Sequence, residues 1–106
     1  MKIGVFDSGV GGLSVVNTIK QAYPGVEVIY RDDKQHVPYG NRGISEIHGF
    51  VQPILLDLAQ SGCELIVIAC NTVTTNLFDE LAKEIPARLI GMEPMVEDAV
   101  NLTKTK

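Results

Sequence analysis

Four short apolar runs, at residues 2–6, 26–30, 65–69 and 88–91, set the limits on what this chain can fold into. They are largely apolar and rich in β-branched residues, so each reads as a strand covered on both faces, as in a parallel sheet. The segments between them carry helical spacing instead. After the first run, Leu13, Val16, Ile19 and Lys20 mark a helix that Tyr23-Pro24-Gly25 ends. After the second, Ile44, Ile47, Val51, Ile54, Leu55 and Leu58 form an apolar stripe closed by Ser61-Gly62. Pro53 inside that stripe predicts a kink, or a break into two shorter helices. A third helix is predicted over 74–83, stopped before Pro86, and a fourth over 94–103 with Pro94 at its first position.

Strand and helix alternating four times predict a doubly wound α/β domain: a parallel sheet of about four strands in a flavodoxin-like, three-layer α/β/α arrangement. The 106 residues suffice for a single core and read as one domain, 1–106, without internal repeat, low-complexity tract or linker. One connection is unusually long. Residues 31–43 have no periodicity, and such loops inside compact domains are usually functional.

Charge and composition narrow the function. The chain is 45% hydrophobic and 21% charged, with a net charge of −4. Its nine Lys and Arg residues form no basic stripe, which argues against nucleic acid as a partner, and Lys104 and Lys106 read as a solvated tail. No run approaches the roughly 18–20 apolar residues that span a bilayer. Met1-Lys2-Ile3 leads directly into a strand pattern without the layout of a signal peptide. Two cysteines are too few for a disulfide framework. If the run between Cys63 and Cys70 is extended, their Cα atoms lie roughly 23 Å apart. A disulfide needs about 7 Å, so both thiols are expected free, in a cytoplasmic chain that binds a small molecule and no membrane.

In an open α/β sheet, ligands bind outside the carboxyl ends of the strands. That rule selects Asp7-Ser8-Gly9-Val10-Gly11-Gly12, then Asp32, Asp33 and Val37-Pro38-Tyr39-Gly40, then Cys70-Asn71-Thr72, then Glu93-Pro94. The glycine-rich first turn opens a helix and can offer backbone N–H groups to an anion. A dinucleotide fingerprint would need glycine at position 14, which is Ser14, and no Gly-Lys-Ser/Thr of a P-loop follows. Asp7 would also repel a polyphosphate, so a small carboxylate fits this turn better. A hydrolase or phosphatase using Asp7 as nucleophile lacks an acid two residues on, where Gly9 stands.

Cys70 ends a strand and opens a helix, whose dipole favours a thiolate there. Asp7 ends the neighbouring strand and is expected to orient or accept a proton of Cys70. Cys63, at the far end of the same run, reads as an ordinary buried cysteine. His36 lies in the long loop within reach of a ligand, whereas His48 reads as surface on the polar side of the second helix. Neither histidine has a partner at metal-ligand spacing, so no metal site is expected. Asp32 and Asp33 form either a like-charge pair near the cleft or a pair of solvated strand-end acids.

Three segments, Gly4-Val5-Phe6-Asp7-Ser8-Gly9-Val10-Gly11-Gly12-Leu13, Val37-Pro38-Tyr39-Gly40 and Ala69-Cys70-Asn71-Thr72, resemble those of the glutamate racemases in order and spacing. The last is shared with the wider aspartate/glutamate/hydantoin racemase group. The resemblance implies cofactor-independent interconversion of L- and D-glutamate for peptidoglycan synthesis. One cysteine removes the α-proton and a second donates one from the opposite face. It implies Cys70 and Asp7 as catalytic residues, and Ser8, Pro38, Tyr39, Gly40, Asn71 and Thr72 as substrate-binding residues. Two departures are visible. The family's Gly-Asp-Thr-Ala-Arg before Val-Pro-Tyr-Gly is replaced here by Asp32-Asp33-Lys34-Gln35-His36. The family's second cysteine, in a Cys-Thr-His segment of a second domain, has no counterpart. The chain alone is therefore expected to be an inactive half-site, awaiting its C-terminal half or a second copy in a homodimer. The alternative is a non-catalytic truncated domain that binds a small acidic ligand or self-associates.

Overall fold

The computed structural model describes residues 1–9, 12–37 and 39–91. The elements run β1 (Lys2–Asp7), α1 (Gly12–Ala22), β2 (Glu27–Asp32), α2 (Ile44–Gln60), β3 (Leu65–Ile68), α3 (Asn71–Glu84) and β4 (Arg88–Gly91). The fourth helix expected at 94–103 lies outside the described residues, as do Glu93 and Pro94. The four strands form one sheet in the order β2-β1-β3-β4, and every pair is parallel. The expected α/β/α layering is present.

Alternation along the strands builds the layers. Ile3 and Val5 of β1 and Val67 of β3 face Val16 of α1, with Ile19 and Val28 packed alongside. Phe6, Ile66 and Ile68 face the opposite way, onto Leu55 and Leu58 of α2 and Leu77 and Leu81 of α3. Each such fully buried side chain contributes about 1.5–3 kcal/mol, so this larger cluster dominates the core. Not all strands are covered on both faces, contrary to the sequence expectation. β1 and β3 are, but β2 and β4 are the sheet edges and remain partly exposed.

Pro53 does not divide α2. The helix runs unbroken from Ile44 to Gln60. The carbonyl that Pro53 leaves without a donor belongs to Gly49, four residues earlier. Both residues lie on the exposed side, and nothing crowds Gly49, so water can replace the lost bond. The helix closes as expected at Ser61-Gly62, with Gly62 at φ +99°. α3 begins at Asn71 rather than 74, one residue beyond Cys70. Among the described residues, no helix is long and apolar enough to cross a membrane.

Candidate active site at the strand ends

Parallel pairing brings the carboxyl ends of all four strands to one edge. Asp7 is in register with Asp32, and Phe6 with Ile68. The chain moves from β1 outward to β2, then crosses back to β3 and β4, so the order reverses between β1 and β3. In sheets of this kind, ligands bind in a crevice beyond the strand ends at such a reversal. Ser8-Gly9 follows β1 at this edge, and Cys70 lies just beyond β3.

Gly9 shapes the first turn. Its φ of +143° favours glycine, and a Cβ there would stand 3.3 Å from Lys34 Cγ and 3.6 Å from Val37 Cγ2. The close approach shows that the long loop after β2 leans on the turn after β1. Val10, Gly11 and Pro38 lie outside the described residues. Ser8 is half-buried beside this turn.

Cys70 is the N-cap residue of α3, in extended conformation (φ −129°, ψ 120°), and its thiol is buried in the larger core cluster with Tyr39 and Val73. Its carbonyl accepts from the Thr74 N–H at 3.0 Å. Asn71 is the first residue of the helix, and the role expected of its side chain falls outside what is described. Thr72 follows, half-buried. Cys63 is free and buried at the opposite end of β3, where burial pushes its thiol above the ordinary value. Its Sγ packs against Gly4 and Leu58, not toward the crevice.

Asp7 is fully buried, and its Oδ2 accepts a hydrogen bond from Tyr30 Oη at 3.1 Å. Burial, that bond and the charges of Asp7 and Asp32 push the Tyr30 phenol up to about 12. Strand alternation and the Tyr30 partner put Asp7 on the α1 side of the sheet, whereas Cys70 packs on the α2/α3 side. The two groups therefore lie on opposite faces of adjacent strand ends, both buried. Tyr30 went unnoticed in the sequence. Its place follows once pairing is known, because Tyr30 is opposite Val5 and thus diagonal to Asp7.

The two neighbouring acids of the loop go separate ways. Asp32 faces Lys34 at 3.8 Å. Asp33 is buried and accepts from Tyr39 Oη at 2.5 Å, while its other oxygen is 2.8 Å from His36 Nδ1. Asp33 is thus neither solvated nor paired with Asp32. The Tyr39 ring is buried, and its phenol is pushed far above the ordinary value, first by burial and then by Asp33. Gly40, next to it, is exposed. His36 also stacks on Phe50 of α2, with ring centroids 3.7 Å apart and 9° between planes. The Arg42 guanidinium lies 5.1 Å from the Phe50 ring, and its Nε donates to the His36 carbonyl at 2.7 Å. His48 sits at the surface as expected, where it meets Glu84 at 2.7 Å and links α2 to α3.

No protein-family model matches the chain. It is 42% identical to the glutamate racemase of Aquifex aeolicus over all of its own length and 42% of that protein's. The solved glutamate racemase of Aquifex pyrophilus superposes with a TM-score of 0.86 at 40% identity, covering 95% of this chain and 40% of that one. That of Thermus thermophilus, solved in complex with β-chloro-D-alanine, gives a TM-score of 0.76 at 37% identity, covering 85% and 35%. The chain thus spans about two-fifths of the length of the curated relatives it matches. By sequence and by fold together, the chain is similar to the N-terminal part of the glutamate racemases.

Proposed function

We propose that this chain supplies one half of the active site of a cofactor-independent racemase that interconverts L- and D-glutamate, with Cys70 as one of two proton-transfer groups. The observation that carries the reading is the position of Cys70: it caps α3 at the edge of the crevice where the strand order reverses. The α-proton of an amino acid is very weakly acidic, so removing it needs a base on one face and oriented donors for the developing negative charge. Cys70 provides the base. Asp7, steadied by Tyr30, is its proton partner across the strand ends. Ser8, Gly40 and Thr72, with Pro38, Tyr39 and Asn71, form the wall that holds the carboxylates and amine of the substrate.

Inversion needs a second acid on the opposite face. Cys63 cannot serve, because all of β3 separates it from the crevice. The second group therefore comes from outside these 106 residues, as the Cys-Thr-His segment does in the family. The product, D-glutamate, would serve peptidoglycan synthesis and cell shape, with the protein in the cytoplasm.

Titrating the chain with D- and L-glutamate while following backbone amide resonances tests the binding half of this reading. Shifts are expected at Ser8, Gly40 and Thr72, and none at Gly62 or Cys63 at the far edge. A spectrum unchanged at saturating glutamate would remove the proposal that this crevice recognises an acidic amino acid.

A further inference from the structure

From the contacts of the long loop we infer that Asp33 is a positioning residue, which holds the Tyr39 ring against Cys70 and so fixes one wall of the crevice. The inference deepens the racemase reading above and rests on it for its significance, though not for its test.

A carboxylate with 6% of its surface exposed is costly unless its oxygens are satisfied, and Asp33 satisfies one with Tyr39 and the other with His36. Hydrogen bonds to an ionised acceptor are roughly twice as strong as neutral ones, so these are the firmest links in the loop. The His36 end is fixed in turn. Its ring lies flat on Phe50 of α2, and its carbonyl is held by Arg42, which also reaches Glu46 at 3.0 Å. Asp33 is therefore tied to the helix layer on one side and to Tyr39 on the other.

What this does for the site follows from the position of the Tyr39 ring. It is buried in the same cluster as Cys70, and the two are close enough for a charge on Cys70 to oppose ionisation of the phenol. With its proton committed to Asp33, Tyr39 stays a neutral phenol beside the thiol. It is a fixed apolar wall and not a second acid. Cys70 itself is only 6% exposed, and it lies in the same buried cluster as the ring that Asp33 holds.

The test measures access to the thiol in the 106-residue chain. Cys70 is alkylated with iodoacetamide and quantified by peptide mass spectrometry, with Cys63 as internal reference. Asp33→Ala should speed alkylation of Cys70 about tenfold, Asp33→Asn and Tyr39→Phe by smaller factors, and Cys63 should not change. A packing role alone would spare Asp33→Asn, which keeps the shape. A 13C-tyrosine resonance supplies the second readout: in Asp33→Asn the Tyr39 phenol should ionise at lower pH than in the unmodified chain. If Asp33→Ala does not fold, the other two variants carry the test. Cys70 alkylation within about twofold of the unmodified chain in the folded variants, with the Tyr39 titration unmoved, would overturn the inference. Neither readout depends on turnover, so loss of the racemase reading and loss of this one are separate results.

Discussion

Gly4→Ala probes the packing that assigns Cys63 to the core. Gly4 lies on β1 beneath α2, where an added Cβ would stand 3.1 Å from Cys63 Sγ and 3.2 and 3.3 Å from the two methyls of Leu58. Carbon atoms at rest stay about 3.5–4.0 Å apart, so the neighbours must give way by several tenths of an ångström. Leu58 is fully buried and has little room to move. Overpacking of this kind costs about 1–3 kcal/mol, against which alanine gains about 0.5–1 kcal/mol over glycine in strand propensity. The net expectation is a loss of about 0.5–2 kcal/mol, and at about 4–8 °C per kcal/mol this lowers Tm by several degrees. In a Cys63→Ala background the nearest obstacle is gone and the new methyl fills part of the vacated space. There Gly4→Ala should be neutral or stabilising. Urea unfolding of the four proteins of this cycle gives the coupling, expected at about 1–2 kcal/mol. Equal costs of Gly4→Ala in both backgrounds would refute the packing argument.

Two further outcomes follow from the strand-end geometry. Gly9→Ala places a side chain at φ +143° against Lys34 and should destabilise by about 1–3 kcal/mol in urea unfolding, with the residues of 33–43 losing amide protection first. Tyr30 adds a pH dependence. Its phenol is raised from 10.0 to about 12 in the folded chain, so the neutral form is favoured by folding. That contribution is fully present below pH 10.0 and is lost as pH rises to about 12. Stability measured across this range should fall less steeply in Tyr30→Phe, and an unchanged slope would count against the Tyr30–Asp7 bond.

The fold was legible because its signals are local. Apolar runs of four to six residues between helical stripes can only be buried strands and amphipathic helices, and their alternation dictates parallel pairing. What pattern does not encode is which strands end up at the edges, and therefore β2 and β4 proved less buried than their composition implied. Pro53 misled because the penalty for an internal proline depends on whether the freed carbonyl can find another partner, and here Gly49 and Pro53 both lie on the exposed side of α2. The strand-end rule selected Asp7, Ser8, Cys70 and Thr72 directly, since their place depends only on where each strand stops. The long loop was recognised as special, but its internal bonds were out of reach. Asp33, His36, Tyr39, Arg42 and Phe50 meet only after the loop turns back on α2, and nothing in their spacing announces it. Tyr30 was likewise invisible until β1 and β2 were paired.

The central claim, that Cys70 transfers the α-proton, is tested most directly by solvent exchange at the α-carbon. The chain is incubated in D2O with D-glutamate and L-glutamate separately, and the α-proton signal of each is followed by NMR. A single base acting on one face predicts deuterium uptake by one enantiomer only, without conversion to the other. That uptake should vanish in Cys70→Ser and persist in Cys63→Ser. Exchange that is the same for both enantiomers, or that survives Cys70→Ser unchanged, would contradict the account.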